Sequence, residues 1–334
     1  MMSGENKTAL KFLIYGTNVE SQILACKLSE QGIAVTICES GKKAKWISDC
    51  GITLINANSG WTETAYVEVV DDAGDLDQYD FVVVAVERLR VDSLLSDLVS
   101  VQNTNIVFMI NTAMGFYDVE KLLGIDRMMF CSISAGGYET DEGINYLMGN
   151  YAQKMFRPTV AGEFSDKKTE RVKMLLELLR GCGFDAAFAR NADAWLKTHA
   201  VISSSAANAL FCCNGDNYEL AAKPDLISCM IDSVREGFAV LEKYGIQPEP
   251  AFMTWTKLPR AVLKKICSVF LNTQCAEYTL ARHYSGCLRE MYLLQCEFDA
   301  FIDYSKSSCP NISRLRKGLF EYLQEEKSVR VLTR

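Results

Sequence analysis

The sequence predicts an α/β protein in which a mainly parallel sheet is followed by an all-helical region. In the first half of the chain, short apolar runs alternate with segments of helical period, an order typical of parallel strands joined by crossover helices. From Lys167 onward only helical periods follow. At roughly 150 residues per domain, 334 residues correspond to about two domains. We therefore expect a Rossmann-type domain over residues 1–180 and a helical domain over residues 181–334.

The strands of the first domain are predicted from apolar runs that end at glycine or polar residues. Lys11–Tyr15 stops at Gly16 and is followed by a helical period from Asn18 to Gln31. Ala34–Cys38 is a second buried-type strand, and Lys42–Cys50 reads as a helix. Continuous apolar runs such as FVVVAV suit central strands that are covered on both faces. Further strands are expected at Thr64–Val70, Phe81–Val86, Ile106–Ile110, Met128–Ser134 and Thr159–Phe164, with a bend at Gly136 and Gly137.

The remaining segments repeat apolar residues at helical spacing and are separated by glycine and proline. Helices are expected at Thr169–Arg180, Ala192–Cys213, Pro224–Tyr244, Pro259–Leu271, Tyr278–Ser305 and Ser313–Glu325.

Composition excludes several classes of protein. A net charge of −7 argues against a broad nucleic-acid surface, which needs a basic face. No stretch reaches the roughly 18 apolar residues of a membrane helix. Thirteen scattered cysteines without a CxxC pair indicate a reducing, cytoplasmic protein with free thiols. With only two histidines, we expect no metal site.

The first strand, turn and helix have the pattern of a dinucleotide-binding turn. Gly16 stands where the first glycine permits the tight bend, whereas Asn18 and Ser21 occupy the second and third glycine positions. The helix N-terminus would supply amide donors to the pyrophosphate. Glu39 closes the second strand 23 residues after Gly16, near the spacing of a carboxylate that binds ribose hydroxyls. The turn residues Gly16, Thr17, Asn18 and Val19, together with Glu39, are therefore predicted to bind a cofactor.

The cofactor preference leans to NAD because Glu39 would repel a 2′-phosphate. Lys42, Lys43 and Lys45 follow closely and could instead bind that phosphate, or form a solvated helix face. Many α/β proteins also begin with strand, turn and helix without binding any nucleotide.

The segment Ala192–Cys213 places polar groups on one face of a helix. At 100° per residue, Lys197, Ser204, Ser205 and Asn208 share one stripe with Val201. An ammonium group there could polarise a carbonyl and protonate the alkoxide that hydride delivery leaves. Alternatively, Lys197 extends to solvent and the serines pack against a neighbouring helix.

The segment DAWLKTHAVISSSAANAL resembles the second-domain helix of the ketopantoate reductase (2-dehydropantoate 2-reductase) family, whose pattern is W-x-K-x-x-x-N with another Asn four residues further on. The order of YDFVVVAVE, IVFMINTAMG and TVAGEF before the helical region is similar as well. The resemblance implies that Lys197 is the general acid, that Asn111 lies beside cofactor and substrate, and that Gly16 is the first glycine of the turn.

The chain departs from the family at several contact positions. Val201 and Ser205 replace the two helix asparagines, and Glu87 replaces a lysine after the fourth strand. Ser40 falls where many members have an arginine for the 2′-phosphate. Since buried groups shaped for one substrate discriminate strongly, we expect poor binding of ketopantoate. The predicted substrate residues are Asn111, Ser204, Ser205 and Asn208, and Ser40 joins the predicted cofactor site with Asn111.

These observations lead to one preferred function and two alternatives. We expect an NAD(P)-dependent reductase of a small 2-oxo acid or related carbonyl compound, with no nucleic-acid or membrane partner and with a homodimer as a plausible assembly. A nucleotide-binding protein that has lost catalysis is the first alternative. The second is an opine- or hydroxyacyl-type dehydrogenase, in which His283 beside Arg282 would be the catalytic histidine.

Overall fold

An eight-stranded sheet forms the N-terminal part of the computed structural model, which describes residues 10–100, 102, 105–148, 158–250 and 256–332, with side chains as far as residue 324. The strand order is β12-β11-β8-β7-β6-β1-β2-β5, and every neighbouring pair is parallel except β8 with β11. Its strands are β1 (Lys11–Tyr15), β2 (Ala34–Cys38), β5 (Glu68–Val70), β6 (Phe81–Val84), β7 (Ile106–Phe108), β8 (Met128–Ser132), β11 (Thr159–Glu163) and β12 (Ala186–Phe188).

Helices cover both faces of this sheet. On one face, α1 (Val19–Glu30) and α5 (Glu170–Gly181) share a core with the strands. On the other, α3 (Val91–Ser100) and α4 (Tyr117–Leu123) bury their apolar side chains, while α2 (Gly41–Cys50) follows β2. The residues of β6, β7 and β8 are all buried, as expected for central strands covered on both sides. The predicted α/β class is confirmed.

The last strand of the sheet ends at Phe188, a few residues beyond the predicted division at residue 180. Beyond it the chain is helical and has its own apolar core. The helices are α6 (Ala192–Phe211), α7 (Asn217–Ala221), α8 (Pro224–Lys243), α9 (Arg260–Leu271), α10 (Gln274–Ala276), α11 (Arg282–Gly286), α12 (Leu288–Ser305) and α13 (Pro310–Leu332). Within the described part of the chain, no helix is both long and apolar enough to cross a bilayer.

The predicted single strand Thr64–Val70 is wrong. The segment contributes to β4 (Thr62–Ala65), which pairs with β3 (Ile52–Asn56) in a second sheet, and to β5, which pairs with β2. Strand pairing depends on partners that are distant in the sequence, so the local pattern does not show that the two pieces join different sheets.

The predicted bend at Gly136 and Gly137 is also wrong, because both residues lie within β9 (Ala135–Thr140), which forms an antiparallel hairpin with β10 (Gly143–Met148). A Cβ atom on Gly137 would clash with the backbone of β10, and one on Gly136 would lie 2.9 Å from Cα of Thr279. The glycines allow close approach of backbone to backbone rather than a turn.

The predicted continuous helix Tyr278–Ser305 is interrupted. A π-helical turn spans Glu277–Ala281, and Cys287 separates α11 from α12 with a non-helical ψ of 36°. Such interruptions keep the local helical period of the sequence, which is why periodicity alone does not reveal them. Here the breaks place α11 against the carboxyl ends of the central strands.

Candidate active site

A cleft of about 470 Å³ lies at the carboxyl ends of the central parallel strands. One wall comes from the N-terminus of α1 and from residues that follow β6 and β7, and the opposite wall comes from α11 and the start of α12. Ligands of open α/β sheets bind at this edge, where the strand order reverses. The lining includes Asn18, Val19, Glu20, Asn111, His283 and Glu290.

The turn between β1 and α1 requires a glycine at its first position. Gly16 has φ +102°, a conformation that residues with a side chain rarely adopt. A Cβ atom on Gly16 would clash with the carbonyl oxygen of Ala85, at the end of β6. The turn therefore packs directly against the neighbouring strand, and this close approach brings the N-terminus of α1 into the cleft.

The two residues that replace glycine in this turn stabilise it. Asn18 has an ordinary φ of −71°, and its Oδ1 caps α1 by accepting the amide hydrogen of Ser21 at 2.8 Å. Asn18 Nδ2 donates to the carbonyl of Ala85 at 3.1 Å. Ser21 is fully buried and donates to the carbonyl of Gly16. The substitutions are thus compatible with the bent turn and with close packing of helix and sheet.

The first turn of α1 retains the features of an anion site, with one exception. The amides of Val19 and Glu20 precede the first intrahelical hydrogen bond, from Gln22 N to the carbonyl of Asn18, and such amides and the helix dipole favour a phosphate. Thr17 is buried, and its carbonyl accepts a hydrogen bond from the Gln22 side chain. The carboxylate of Glu20 lies in the same first turn and opposes an anion electrostatically.

Glu39 at the end of β2 is held by an arginine that follows β6. Both carboxylate oxygens of Glu39 accept hydrogen bonds from Arg90, at 3.0 and 3.1 Å. Burial alone would raise the pKa of Glu39, but Arg90 and the amide of Ser40 hold it below its ordinary value. Glu39 is consequently a carboxylate at neutral pH. Next to it, Ser40 stands at the N-terminus of α2 without a side-chain capping bond.

Asn111 lies in the cleft and is fixed by the helical part of the chain. Its Nδ2 donates to Oε1 of Glu290 on α12 at 2.7 Å. Two turns further along α12, Glu297 accepts hydrogen bonds from the Thr112 hydroxyl and from the amides of Ala113 and Met114. Two carboxylates of one helix therefore hold the loop after β7.

Lys197 does not line the cleft. Its ammonium group forms an ion pair with Asp193 one turn earlier on α6, and its side chain is 8% exposed. A Cβ atom on Gly115 would lie 3.5 Å from Lys197 Nζ, so the ammonium lies beside the loop that leads to α4. The general-acid role of Lys197 stays a prediction.

The other polar residues of the predicted stripe are buried within the helical part. Ser204 donates to the carbonyl of Val201, Ser205 is 4% exposed, and Asn208 Nδ2 donates to Gln295 at 2.6 Å. Among the described residues, Asn208 Oδ1 has no hydrogen-bond partner. None of the three lines the cleft, whereas Asn111 does.

The opposite face of α6 borders a second, smaller cavity of about 90 Å³. His199 and Ser203 line it, with 3.1 Å between Nε2 and Oγ, and most of the other lining side chains are apolar. Asn111 and His283 line both cavities, so the two meet at these side chains.

Sequence reasoning named His283 as an alternative catalytic residue but missed its carboxylate partner. His283 Nδ1 lies 3.3 Å from Oε1 of Glu20, across the cleft. Glu20 and Glu297 were not selected from the sequence. A glutamate in the first turn of a nucleotide-binding helix was the one available signal, since that position faces the ligand.

One cluster of metal-ligand type lies outside the cleft and has another explanation. Donor atoms of Cys26, Glu30 and Glu63 lie within 4.8 Å of one another. The ammonium of Lys27 pairs with both carboxylates, and burial raises the pKa of the Cys26 thiol to about 12. The structure describes all thirteen cysteines; none of them forms a disulfide, and most are buried.

Comparison with known families finds one similarity in the N-terminal part of the chain. Residues 12–157 match the family described as ketopantoate reductase PanE/ApbA. No curated protein sequence matches the chain.

Solved structures with the same fold cover nearly the whole chain at low sequence identity. D-mandelate dehydrogenase with NADH and anilino(oxo)acetate superposes with a TM-score of 0.74 at 13% identity, over 95% of this chain and 99% of that one. 2-Dehydropantoate 2-reductase from Geobacter metallireducens GS-15 gives 0.71 at 13% identity, over 93% and 99%. The enzyme of the same name from Methylococcus capsulatus gives 0.69 at 16% identity, over 96% and 98%.

These findings confirm the predicted resemblance. The cleft lies where the fold places a dinucleotide, and its turn keeps the glycine that the bend requires. Residues 12–157 are similar to the ketopantoate reductase PanE/ApbA family, and nearly the whole chain has the two-domain fold of the solved structures named above.

Proposed function

We propose that the protein is an NAD(P)-dependent oxidoreductase, similar to ketopantoate reductase, that transfers a hydride to a small 2-oxo acid or related carbonyl compound. The observation that carries this proposal is the Gly16 turn, which brings the N-terminus of α1 to the cleft between the sheet and the helical part. The family match over residues 12–157 and the similarity to a dehydrogenase structure that holds NADH support it.

The residues present fit a dinucleotide. A cleft of about 470 Å³ is within the usual range of ligand sites, about 300–1,000 Å³. Gly16, Thr17, Asn18 and Val19 would hold the pyrophosphate through the backbone, and Asn111 would lie at the nicotinamide end. When bound, the reduced nicotinamide supplies the hydride.

For the cofactor, we favour NAD over NADP. Glu39 is ionised and stands with Ser40 where the ribose of the adenosine would lie. Its carboxylate would accept hydrogen bonds from the ribose hydroxyls and repel a 2′-phosphate. Arg90 and Lys43 are the nearby cations, and each is already paired with a carboxylate, Glu39 and Glu139 respectively.

For the substrate, we favour a carbonyl compound other than ketopantoate. Val201 and Ser205 lie at the positions of the two family asparagines, and Ser204, Ser205 and Asn208 are buried away from the cleft. The predicted role of Lys197 as proton donor would require its ammonium to leave Asp193, which its long flexible side chain permits.

The first experiment is a separate titration of NADH and NADPH into the purified protein, followed by nicotinamide fluorescence and melting temperature. Micromolar binding of either supports the proposal, and a panel of 2-oxo acids then tests turnover. Val19→Asp adds a second carboxylate at the N-terminus of α1 and should weaken binding about tenfold or more. Val99→Asp, on the exposed side of α3, is the matched control and should bind as the unaltered protein does.

A protein that binds nucleotide without catalysis is the second candidate. The carboxylate of Glu20 in the first turn of α1 favours it, because that charge opposes a pyrophosphate. Stoichiometric cofactor binding without reduction of any 2-oxo acid would support this alternative, and Lys197-dependent turnover would exclude it. Size-exclusion chromatography with light scattering tests the expected homodimer.

A further inference from the structure

Helix α9 is apolar on two opposite sides. The buried side consists of Leu263, Cys267 and Leu271. On the outward side, Val262, Ile266 and Val269 recur at helical spacing and are 46%, 43% and 64% exposed. Leu258, just before the helix, is also exposed. A helix that is apolar all round is normally covered on all sides, so the outward side of α9 is suited to contact with another surface.

Lysines border the outward side of α9. Over residues 250–276 the sequence has four basic residues and no acidic residue. One of the four, Arg260, is paired with Asp232 at 2.7 Å. Lys257 and Lys265 are exposed, and neither forms an ion pair with an acidic residue in the part of the chain that the structure describes. We call this surface, made by Lys257, Leu258, Val262, Lys265, Ile266 and Val269, the basic face.

A second exposed apolar surface lies on the sheet domain. It consists of Val99 on α3, Tyr117 and Leu122 on α4, and Ile125 in the turn that follows, which are between 40% and 66% exposed. The guanidinium of Arg127 donates to the carbonyl of Leu98 at 2.8 Å. This bond holds the turn after α4 against the end of α3, so the four side chains belong to neighbouring elements.

This second surface carries the opposite charge. Over residues 91–126 the sequence has five acidic residues and one basic residue, Lys121, whose ammonium lies 4.1 Å from the centre of the Tyr117 ring. Asp118 and Asp126 are exposed, and neither is paired with a basic residue among those that the structure describes. We call this surface, made by Val99, Tyr117, Asp118, Leu122, Ile125 and Asp126, the acidic face.

We propose that the basic face of one copy of the chain binds the acidic face of a second copy. Contact would bury apolar side chains of both faces and pair charges that a single copy leaves unpaired. Either face against itself would bring like charges together, which is unfavourable. A twofold axis makes the contact twice and closes the assembly as a dimer. None of the residues that define the two faces lines the cleft or the smaller cavity, so the contact does not depend on the proposed function.

The test is the molar mass of the purified protein, measured at low salt by size-exclusion chromatography with light scattering. The unaltered protein should have twice the mass of one chain. Lys257→Glu with Lys265→Glu reverses the charge of the basic face, and Asp118→Lys with Asp126→Lys reverses that of the acidic face. Each of these two proteins should be a monomer, with a dissociation constant raised about tenfold or more, because like charges then meet in the contact.

Mixing the two charge-reversed proteins in equal amounts separates this contact from any other cause of dissociation. In the mixed dimer both contacts again join opposite charges, so the mass of a dimer should return, and high salt should weaken it because exposed charges are screened. Lys167→Glu with Lys317→Glu is the matched control, since both lysines are exposed outside the two faces and the change in net charge is the same. The control should remain a dimer.

Three results would overturn the proposal: a monomeric unaltered protein, a dimer that both charge-reversed proteins retain, or a mixture that stays monomeric. Flotation with vesicles of phosphatidylcholine and phosphatidylserine tests the other occupant of a basic apolar face. Binding of the monomer to these vesicles, lost in Lys257→Glu with Lys265→Glu, would assign the basic face to an anionic membrane and overturn the contact between copies. NADH titrations of the same samples should be unchanged, so failure of the dimer and failure of the proposed function are distinguished.

Discussion

Asn111 Nδ2 donates to Glu290 Oε1 at 2.7 Å, which ties the carboxyl end of β7 to the first turn of α12 across the cleft. The bond holds the orientation of the Asn111 side-chain amide. A residue 179 positions away in the sequence thus sets the position of a predicted cofactor and substrate contact.

Removing that acceptor should impair substrate reduction more than cofactor binding. We expect Glu290→Ala to lower kcat/KM about tenfold or more, since a hydrogen bond to a charged group contributes about 1.5–3 kcal/mol. Glu290→Gln keeps an acceptor oxygen and should lose less. Arg289→Ala is the control, because its ion pair with Glu87 spans 3.5 Å and is largely exposed. Equal kinetics in Glu290→Ala and Arg289→Ala would contradict the prediction.

Glu297 should matter for stability. Glu297→Ala leaves the Thr112 hydroxyl and the amides of Ala113 and Met114 without their acceptor. We expect a loss of about 2 kcal/mol in the free energy of unfolding, read from urea denaturation, and a melting temperature lower by a few degrees. A melting temperature equal to that of Arg289→Ala would show that the three bonds do not hold the loop.

Cofactor preference should change at Glu39. Glu39→Gln removes the charge that repels a 2′-phosphate and releases Arg90 from its ion pair, so NADPH should gain about tenfold in affinity relative to NADH. Fluorescence titration with both cofactors measures the ratio. An unchanged ratio would show that Glu39 does not face the adenosine ribose.

The same carboxylate makes the stability of the folded protein depend on pH. Because the pKa of Glu39 is lowered in the folded protein, its ion pair with Arg90 contributes stability above the unfolded pKa, and this is lost as pH falls through the folded pKa. As the pH is lowered, the melting temperature should therefore fall less steeply in Glu39→Gln than in the unaltered protein. Parallel curves would contradict this.

Glu20 should weaken binding of an anionic cofactor. Glu20→Gln removes a carboxylate from the first turn of α1, so the affinity for NADH should rise about three- to tenfold at low salt. Glu170→Gln on α5 is the matched control and should bind NADH as the unaltered protein does. Weaker binding in Glu20→Gln would show that the carboxylate contacts the cofactor favourably, for example through a ribose hydroxyl.

The sequence determined the class of the fold and the location of the cleft. Apolar runs at β6 and β7 and the Gly16 turn depend on local rules, namely burial on both faces and a positive φ, so they can be read from neighbouring residues. The tertiary structure decided which groups meet in the cleft. Glu20 meets His283, and Asn111 meets Glu290, only because α11 and α12 fold back over the carboxyl ends of the strands.

Helix α6 is a second case in which the sequence alone does not determine which side chains form a site. The helical period of its sequence places Lys197, Ser204 and Asn208 on one face of the helix. Periodicity does not show which face of the helix is covered by the rest of the molecule. That choice follows from packing of α8, α12 and α13 around α6, which buries Ser204 and Asn208 and turns the face of His199 and Ser203 toward a cavity. Long-range packing, and not local preference, assigns the side chains of a helix to a site.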